Sequence, residues 1–179
     1  MIIGVDMDGP VADLHVEWYM RYNRDYNDNL DIARVTDWDL HKFVKPECGT
    51  KIYDYLRDPD LYEHVPAVKG ALETIEKLRE AGNEIVFVTA GVLGNLDQKL
   101  NWLKQHKFLN PGSRDMKGVI FAYDKQLIRV QLLIDDGPHN IVSFGGTGIV
   151  WDAPYNQGVG KYRIKSWADM PALWEKLYG

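Results

Sequence analysis

Cysteine is nearly absent from this chain: Cys48 is the only one in 179 residues. A single thiol excludes an internal disulfide and a thiolate metal cluster. Its neighbours, "PECGT", read as a turn, so Cys48 is given a structural place. No stretch of eighteen apolar residues occurs, and no cationic head precedes an apolar run at the N-terminus. Neither a membrane span nor a targeting segment is expected, and the expectation is a soluble, cytoplasmic protein. Positive charge is outnumbered, with 21 Lys and Arg against 26 Asp and Glu and a net charge of −5. That balance argues against a nucleic-acid polymer as partner. Repeats and low-complexity tracts are also lacking. The five histidines (His15, His41, His64, His106 and His139) show no metal-ligand spacing. His139 stands near acidic residues but reads as a loop residue.

Short apolar runs recur along the chain: "IIGV" (2–5), "EIVFV" (84–88), "GVIFA" (118–122), "VQLLI" (130–134) and "TGIV" (147–150). Their length and β-branched content suit strands buried on both faces of a parallel sheet. Between the first two, Ala71, Leu72, Ile75 and Leu78 recur at helical spacing, with Gly82 placed as the stop. Leu96, Leu100 and Leu103 predict a second helix, ended by Asn110-Pro111-Gly112. A last helix in "ADMPALWEKLYG" would lay Leu173 and Leu177 against the sheet edge. This alternation defines an α/β fold, a three-layer Rossmann-like parallel sheet flanked by helices. Residues 13–65 break it. They offer a helical stripe (Val16, Tyr19, Met20, Tyr26), a shorter one (Ile52, Tyr55, Leu56) and no strong strand, so they predict a small, mainly helical cap inserted after the first strand. The core domain is then 1–12 and 66–179.

The residues just past each run carry the chemistry. Asp6 and Asp8 come after the first, Thr89 after the second, Asp124-Lys125 after the third, Asp135-Asp136 after the fourth and Asp152 after the fifth. Ligands of open parallel sheets bind outside the carboxyl ends of the strands, so these groups would converge on one crevice. Two carboxylates 4 Å apart repel by about 4 kcal/mol at an effective dielectric near 20. Asp6, Asp8, Asp135 and Asp136 together therefore call for raised pKa values or a cation. An all-oxygen donor set suits a hard ion, with Mg²⁺ the natural candidate. Thr89 and Lys125 supply a hydroxyl and a positive charge for a phosphate. Residues two apart on a strand point the same way, so Asp6 could attack phosphorus while Asp8 protonates the leaving oxygen.

"DMDGPVAD", then "VTA", "DK" and "LLIDD" in that order, resembles the four motifs of the haloacid dehalogenase phosphohydrolases. With "VKGALETIEKLREAG" and "SWADMPALWEKL", the tighter similarity is to the 5′(3′)-deoxyribonucleotidases of the cytosolic type C family, across about two-thirds of the chain. The resemblance implies Asp6 as nucleophile and Asp8 as general acid/base, with Thr89, the Ala90 backbone and Lys125 holding the phosphate. It implies Mg²⁺ on Asp6, the Asp8 carbonyl and Asp136, with Asp135 steering a water or Lys125. The substrate class it implies is a deoxynucleoside monophosphate, its base held by cap residues at the positions of Leu14, Trp38 and Tyr55. Leu14 stands where an aromatic residue is common in the family, Pro10 where valine is usual, and Gly137 where some relatives carry a basic residue.

Other features read as structural. "FGGTG" (144–148) lacks a phosphate-loop lysine and precedes a strand, so it is a turn. Trp18, Trp102, Trp151, Trp167 and Trp174 are assigned to the core or cap base, and Asp152 to a turn or helix entry. Alternatives stay open: a sugar-phosphate or other small phosphomonoester phosphatase, a phospho-accepting signalling module, or a nucleotide-binding relative without catalysis. Base preference, 5′ against 3′ phosphate, and a homodimer also stay open.

Overall fold

The computed structural model describes residues 1–109 and 118–179. The Asn110-Pro111-Gly112 stop lies outside the described residues. Six strands form one parallel sheet: β1 (Ile2–Val5), β2 (Glu84–Thr89), β3 (Val119–Phe121), β4 (Leu132–Asp135), β5 (Thr147–Trp151) and β6 (Tyr162–Ile164), in the order β3-β2-β1-β4-β5-β6. All five apolar runs are strands. The sixth, "YRI", is a three-residue edge strand paired only with β5, too short and too polar to stand out as a run. Strand order reverses beside β1, so the crevice at the switch point opens between the carboxyl ends of β1 and β4. Val5 lies beside Ile134 and Phe87, and the Asp6 amide donates to the Ile134 carbonyl at 2.8 Å. Ile3, Val5, Leu132, Leu133 and Ile134 are fully buried, as strands covered on both faces require.

Helices α2 (Ala71–Glu80) and α3 (Leu96–Gln105) follow the insertion and β2, while α4 (Pro138–Ser143) and α5 (Met170–Tyr178) follow β4 and β6. Gly82 ends the α2 region with φ +83°, its amide on the Arg79 carbonyl. Leu173 and Leu177 of α5 pack on the core as expected. The buried face of α3 differs from the leucine stripe: Leu96 is 39% exposed, and Lys99, Trp102 and Leu103 point inward. Trp102 stacks on Phe108 at 5.7 Å between centroids and donates its indole N–H to the Val65 carbonyl at 2.8 Å. The chain leaves α3 before residue 110, with Lys107 in the left-handed region at φ 65°.

Between β1 and α2 the chain forms α1 (Leu14–Tyr26) and short 3₁₀ segments, Ile32–Arg34, Leu40–Lys42, Gly49–Arg57 and Leu61–Glu63. The expected stripe on α1 is corrected: Val16 and Met20 are each 52% exposed, while Leu14, Trp18, Tyr19 and Tyr22 are buried. Glu17 and Arg21 are buried on the same helix, paired at 2.7 Å. A buried ion pair is invisible to a count of apolar periodicity. Arg21 also reaches Asp60 at 2.7 Å and Asp58 at 3.1 Å, tying α1 to the end of the insertion. Among the described residues no helix is long and apolar enough to cross a membrane.

Trp102→Ala removes a fully packed indole and its hydrogen bond, so unfolding in urea should show a loss of about 3–5 kcal/mol.

Candidate active site

Lys125 organises the crevice. It opens a 3₁₀ turn after β3, capped by the Asp124 side chain on the Gln126 amide, which turns the ammonium inward rather than to solvent. Its side chain is 2% exposed and lies 2.9 Å from Asp6 Oδ1 and 2.6 Å from Asp135 Oδ2. Asp135 is fully engaged: Oδ1 accepts from the Gly137 amide at 2.8 Å and from Asn140 Nδ2 at 3.0 Å. It is thus an orienting carboxylate behind Lys125. Asp6 Oδ1 also accepts from the Met7 amide at 2.7 Å. Asp136 accepts a hydrogen bond from the Tyr155 hydroxyl.

Asp6, Asp135 and Asp136 offer oxygens that all lie within 4.8 Å of one another. Burial raises the Asp6 carboxyl to about 7 despite Lys125, with Asp135 and Asp8 adding to the rise. Burial also pushes Asp136 well up, reinforced by Asp6 and Asp135. Lys125 is held charged because those acids outweigh the cost of its burial. One ammonium does not neutralise this cluster, and its hard oxygen donors fit a divalent cation. With Asp135 taken up by its donors, Asp6 and Asp136 are the carboxylates of this cluster that could hold it. Gly9 keeps the space open: it sits at φ +98°, and a Cβ there would lie 2.8 Å from Asp136 Oδ2.

Asp8 is half-buried across the crevice. Its Oδ1 accepts from the Tyr62 hydroxyl at 2.7 Å and its Oδ2 from Lys99 Nζ at 2.6 Å. Lys99 also donates to Thr89 Oγ1 at 2.8 Å and to the Ala90 carbonyl. Thr89 is fully buried, and its hydroxyl donates to that same carbonyl. The expected phosphate hydroxyl is therefore occupied within the protein here, while Ala90 lines the cavity.

Above the acids lies a cavity of about 430 Å³. Leu14 and Trp38 line it. Tyr55 does not: its hydroxyl donates to Asp25 at 2.8 Å on the far side of the Gly49–Arg57 segment. Tyr53 and Leu56 line the wall instead. The three-residue period of this 3₁₀ helix puts Tyr53 and Leu56 on one face and Tyr55 on another. His139 is not a loop residue but stands in the first turn of α4 and lines the cavity, 5.0 Å from the Trp38 ring. Tyr155 also meets Trp38, at 5.5 Å. Asp152 is structural, paired with Arg163 at 2.6 Å.

Lys99, Tyr62 and Tyr155 are the site residues that reading the sequence misses. A lysine on an amphipathic helix reads as solvated, and a tyrosine inside an aromatic-rich insertion carries no positional signal. The one available hint for Lys99 is its place between Leu96 and Leu103, on the face turned to the sheet.

The fold and the acid–lysine cluster at its switch point define a phosphohydrolase of the haloacid dehalogenase type. Solved structures with this fold include a haloacid dehalogenase-like protein of Agrobacterium tumefaciens (13% identical, 99% of each chain covered, TM-score 0.67). Another is a hydrolase of Deinococcus radiodurans, solved with phosphate and sodium bound (16% identical, 98% of this chain and 95% of that one, TM-score 0.61). Among curated relatives, a 5′(3′)-deoxyribonucleotidase of Clostridium acetobutylicum is 34% identical over 177 residues, covering 98% of this chain and 95% of its own. The Bacillus subtilis 5′(3′)-deoxyribonucleotidase is 30% identical over 172 residues, with 94% and 95% covered. The chain belongs to the family described as 5′ nucleotidase, deoxy (pyrimidine), cytosolic type C, whose model matches residues 1–177. It is a phosphoric monoester hydrolase.

Without a cation, a carboxyl held near 7 binds its proton in the folded state while the unfolded chain has lost it from about pH 4 upward. Folding stability should thus fall as pH rises from about 4 to 7, the window set by Asp6. Added Mg²⁺ should raise the melting temperature more at pH 7.5 than at pH 5. Calorimetry at the two pH values, with and without the ion, checks this.

Proposed function

We propose that this protein hydrolyses deoxynucleoside monophosphates to nucleoside and inorganic phosphate in the cytoplasm, with residues 13–65 acting as the cap over the substrate. One observation carries the reading: Lys125 is wedged between Asp6 and Asp135 beside Asp136, at the foot of an aromatic-walled cavity. A phosphate entering there meets a nucleophile, a fixed ammonium and cation-holding carboxylates together. Trp38, Tyr53 and Tyr19 offer ring faces and edges for a base. The names of the relatives support the nucleotide class.

Mg²⁺, held by Asp6, Asp136 and the Asp8 carbonyl, would supply charge neutralisation for the phosphate oxygens. Asp6 attacks phosphorus through a carboxylate oxygen. As the bond from phosphorus to the nucleoside oxygen breaks, Asp8 gives its proton to that oxygen and the nucleoside leaves. A water then attacks the aspartyl phosphate, its proton passes to Asp8, and the Asp6–phosphorus bond breaks to release phosphate. Lys125 offsets charge on the transferring group. Asp135 holds Lys125 in place. Thr89 and the Ala90 backbone border the phosphate position, with Thr89 able to serve only if its hydroxyl turns from the Ala90 carbonyl.

Phosphate release from a panel of nucleoside monophosphates and sugar phosphates, with and without Mg²⁺, tests the reading. Deoxynucleoside monophosphates should be the best substrates, and chelation should abolish turnover. A clear preference for sugar phosphates overturns the substrate class. Asp6→Asn should lower kcat by about 10³-fold or more while the circular dichroism spectrum is retained. Lys125→Ala should cost about 10²–10³ in kcat/KM.

A further inference from the structure

The two oxygens of Asp8 are divided between donors of different kinds. Oδ2 faces Lys99, whose three bonds go to Asp8, Thr89 and Ala90, leaving no proton on the ammonium without an acceptor. Oδ1 faces the Tyr62 hydroxyl. An ammonium only donates, whereas a phenol hydroxyl either donates or accepts. A proton on the Asp8 carboxyl therefore belongs on Oδ1, since one on Oδ2 would be directed at a group with no lone pair. We infer that Tyr62 and Lys99 are positioning residues of the phosphoryl-transfer reaction, jointly fixing the rotamer of Asp8 and the oxygen that carries its proton. This rests on reading Asp8 as the acid/base.

Both partners are themselves held rigidly. The Tyr62 amide donates to Gln98 Oε1 at 3.3 Å, and Gln98 Nε2 donates to the Asp58 carbonyl at 2.9 Å. Arg21 grips Asp60 through the side chain at 2.7 Å and the carbonyl at 3.2 Å. Leu61 is fully buried, and Tyr62 is 2% exposed. Gln98 and Lys99, adjacent on α3, thus hold the backbone of Tyr62 and the carboxylate it faces. The Tyr62 hydroxyl comes from the inserted segment and Lys99 from the sheet-covering helix, so Asp8 is fixed only when the two pack together.

The test compares two leaving groups. A nucleoside alkoxide needs a proton as it departs; p-nitrophenolate does not. Single-turnover experiments with enzyme in excess read alcohol release alone, from a deoxynucleoside 5′-monophosphate and from p-nitrophenyl phosphate. The ratio of p-nitrophenolate release to nucleoside release does not depend on how much of a variant is folded. Tyr62→Phe, which removes one oxygen, should slow nucleoside release up to about tenfold, as expected for losing one hydrogen bond to the carboxyl, and p-nitrophenolate release less than about twofold. Lys99→Met should move the ratio in the same direction. In an Asp8→Asn background, Tyr62→Phe should add nothing further. Equal effects on both leaving groups, or full additivity with Asp8→Asn, would overturn the assignment. If Asp8→Asn itself leaves the ratio unchanged, Asp8 is not the acid and the underlying reading fails instead; if it raises the ratio and Tyr62→Phe and Lys99→Met do not, only the positioning role falls.

Discussion

Mutual repulsion among buried carboxylates is the constraint around which this molecule is arranged. Asp6, Asp135 and Asp136 sit where the strand order reverses, and one ammonium, Lys125, stands between two of them. Such a cluster is unstable with all charges present unless a cation joins it. Among the described residues little relieves it: Asp136 receives one hydroxyl, and Asp6 one amide in addition to Lys125. Asp135, by contrast, is saturated with donors. Identical side chains are thereby given different tasks, one orienting and two left reactive toward a positive ion.

A second pole forms around Asp8, and its construction differs. Here the charge is met by a lysine from α3 and a hydroxyl from the inserted segment, so the two halves of the chain meet at a functional group. Gln98 and Trp102 stitch the same junction at a distance from the chemistry. Packing of the insertion and geometry of the site are consequently one problem. The buried Glu17–Arg21 pair belongs to this framework, since Arg21 directs the Asp58–Asp60 turn that precedes Tyr62.

Much of this was legible in the chain, and the gaps have definite causes. The strands announced themselves because a parallel sheet buries both faces and so writes continuous apolar runs. β6 did not, being three residues at an edge. Apolar spacing has no way to register Arg21 or Lys99, so the faces of α1 and α3 differ from the apolar stripes where these charged residues point inward. Tyr55 follows from the family resemblance alone, and a position carried over by resemblance does not fix which face of the Gly49–Arg57 segment it occupies; Tyr53 and Leu56 face the cavity.

By itself, the order of residues determined the sheet, the acids that crown it and the need for a counter-charge. These come from local rules: alternation, strand length and the position of a residue just past a strand end. Only tertiary structure decided which oxygen each donor meets, that Asp135 is spent while Asp136 is available, and that Lys99 and Tyr62 converge on Asp8. Those choices depend on how α3 and the insertion pack across sequence separations of 91 and 54 positions. Contacts made at such separations are set by shape and burial, which no local pattern encodes.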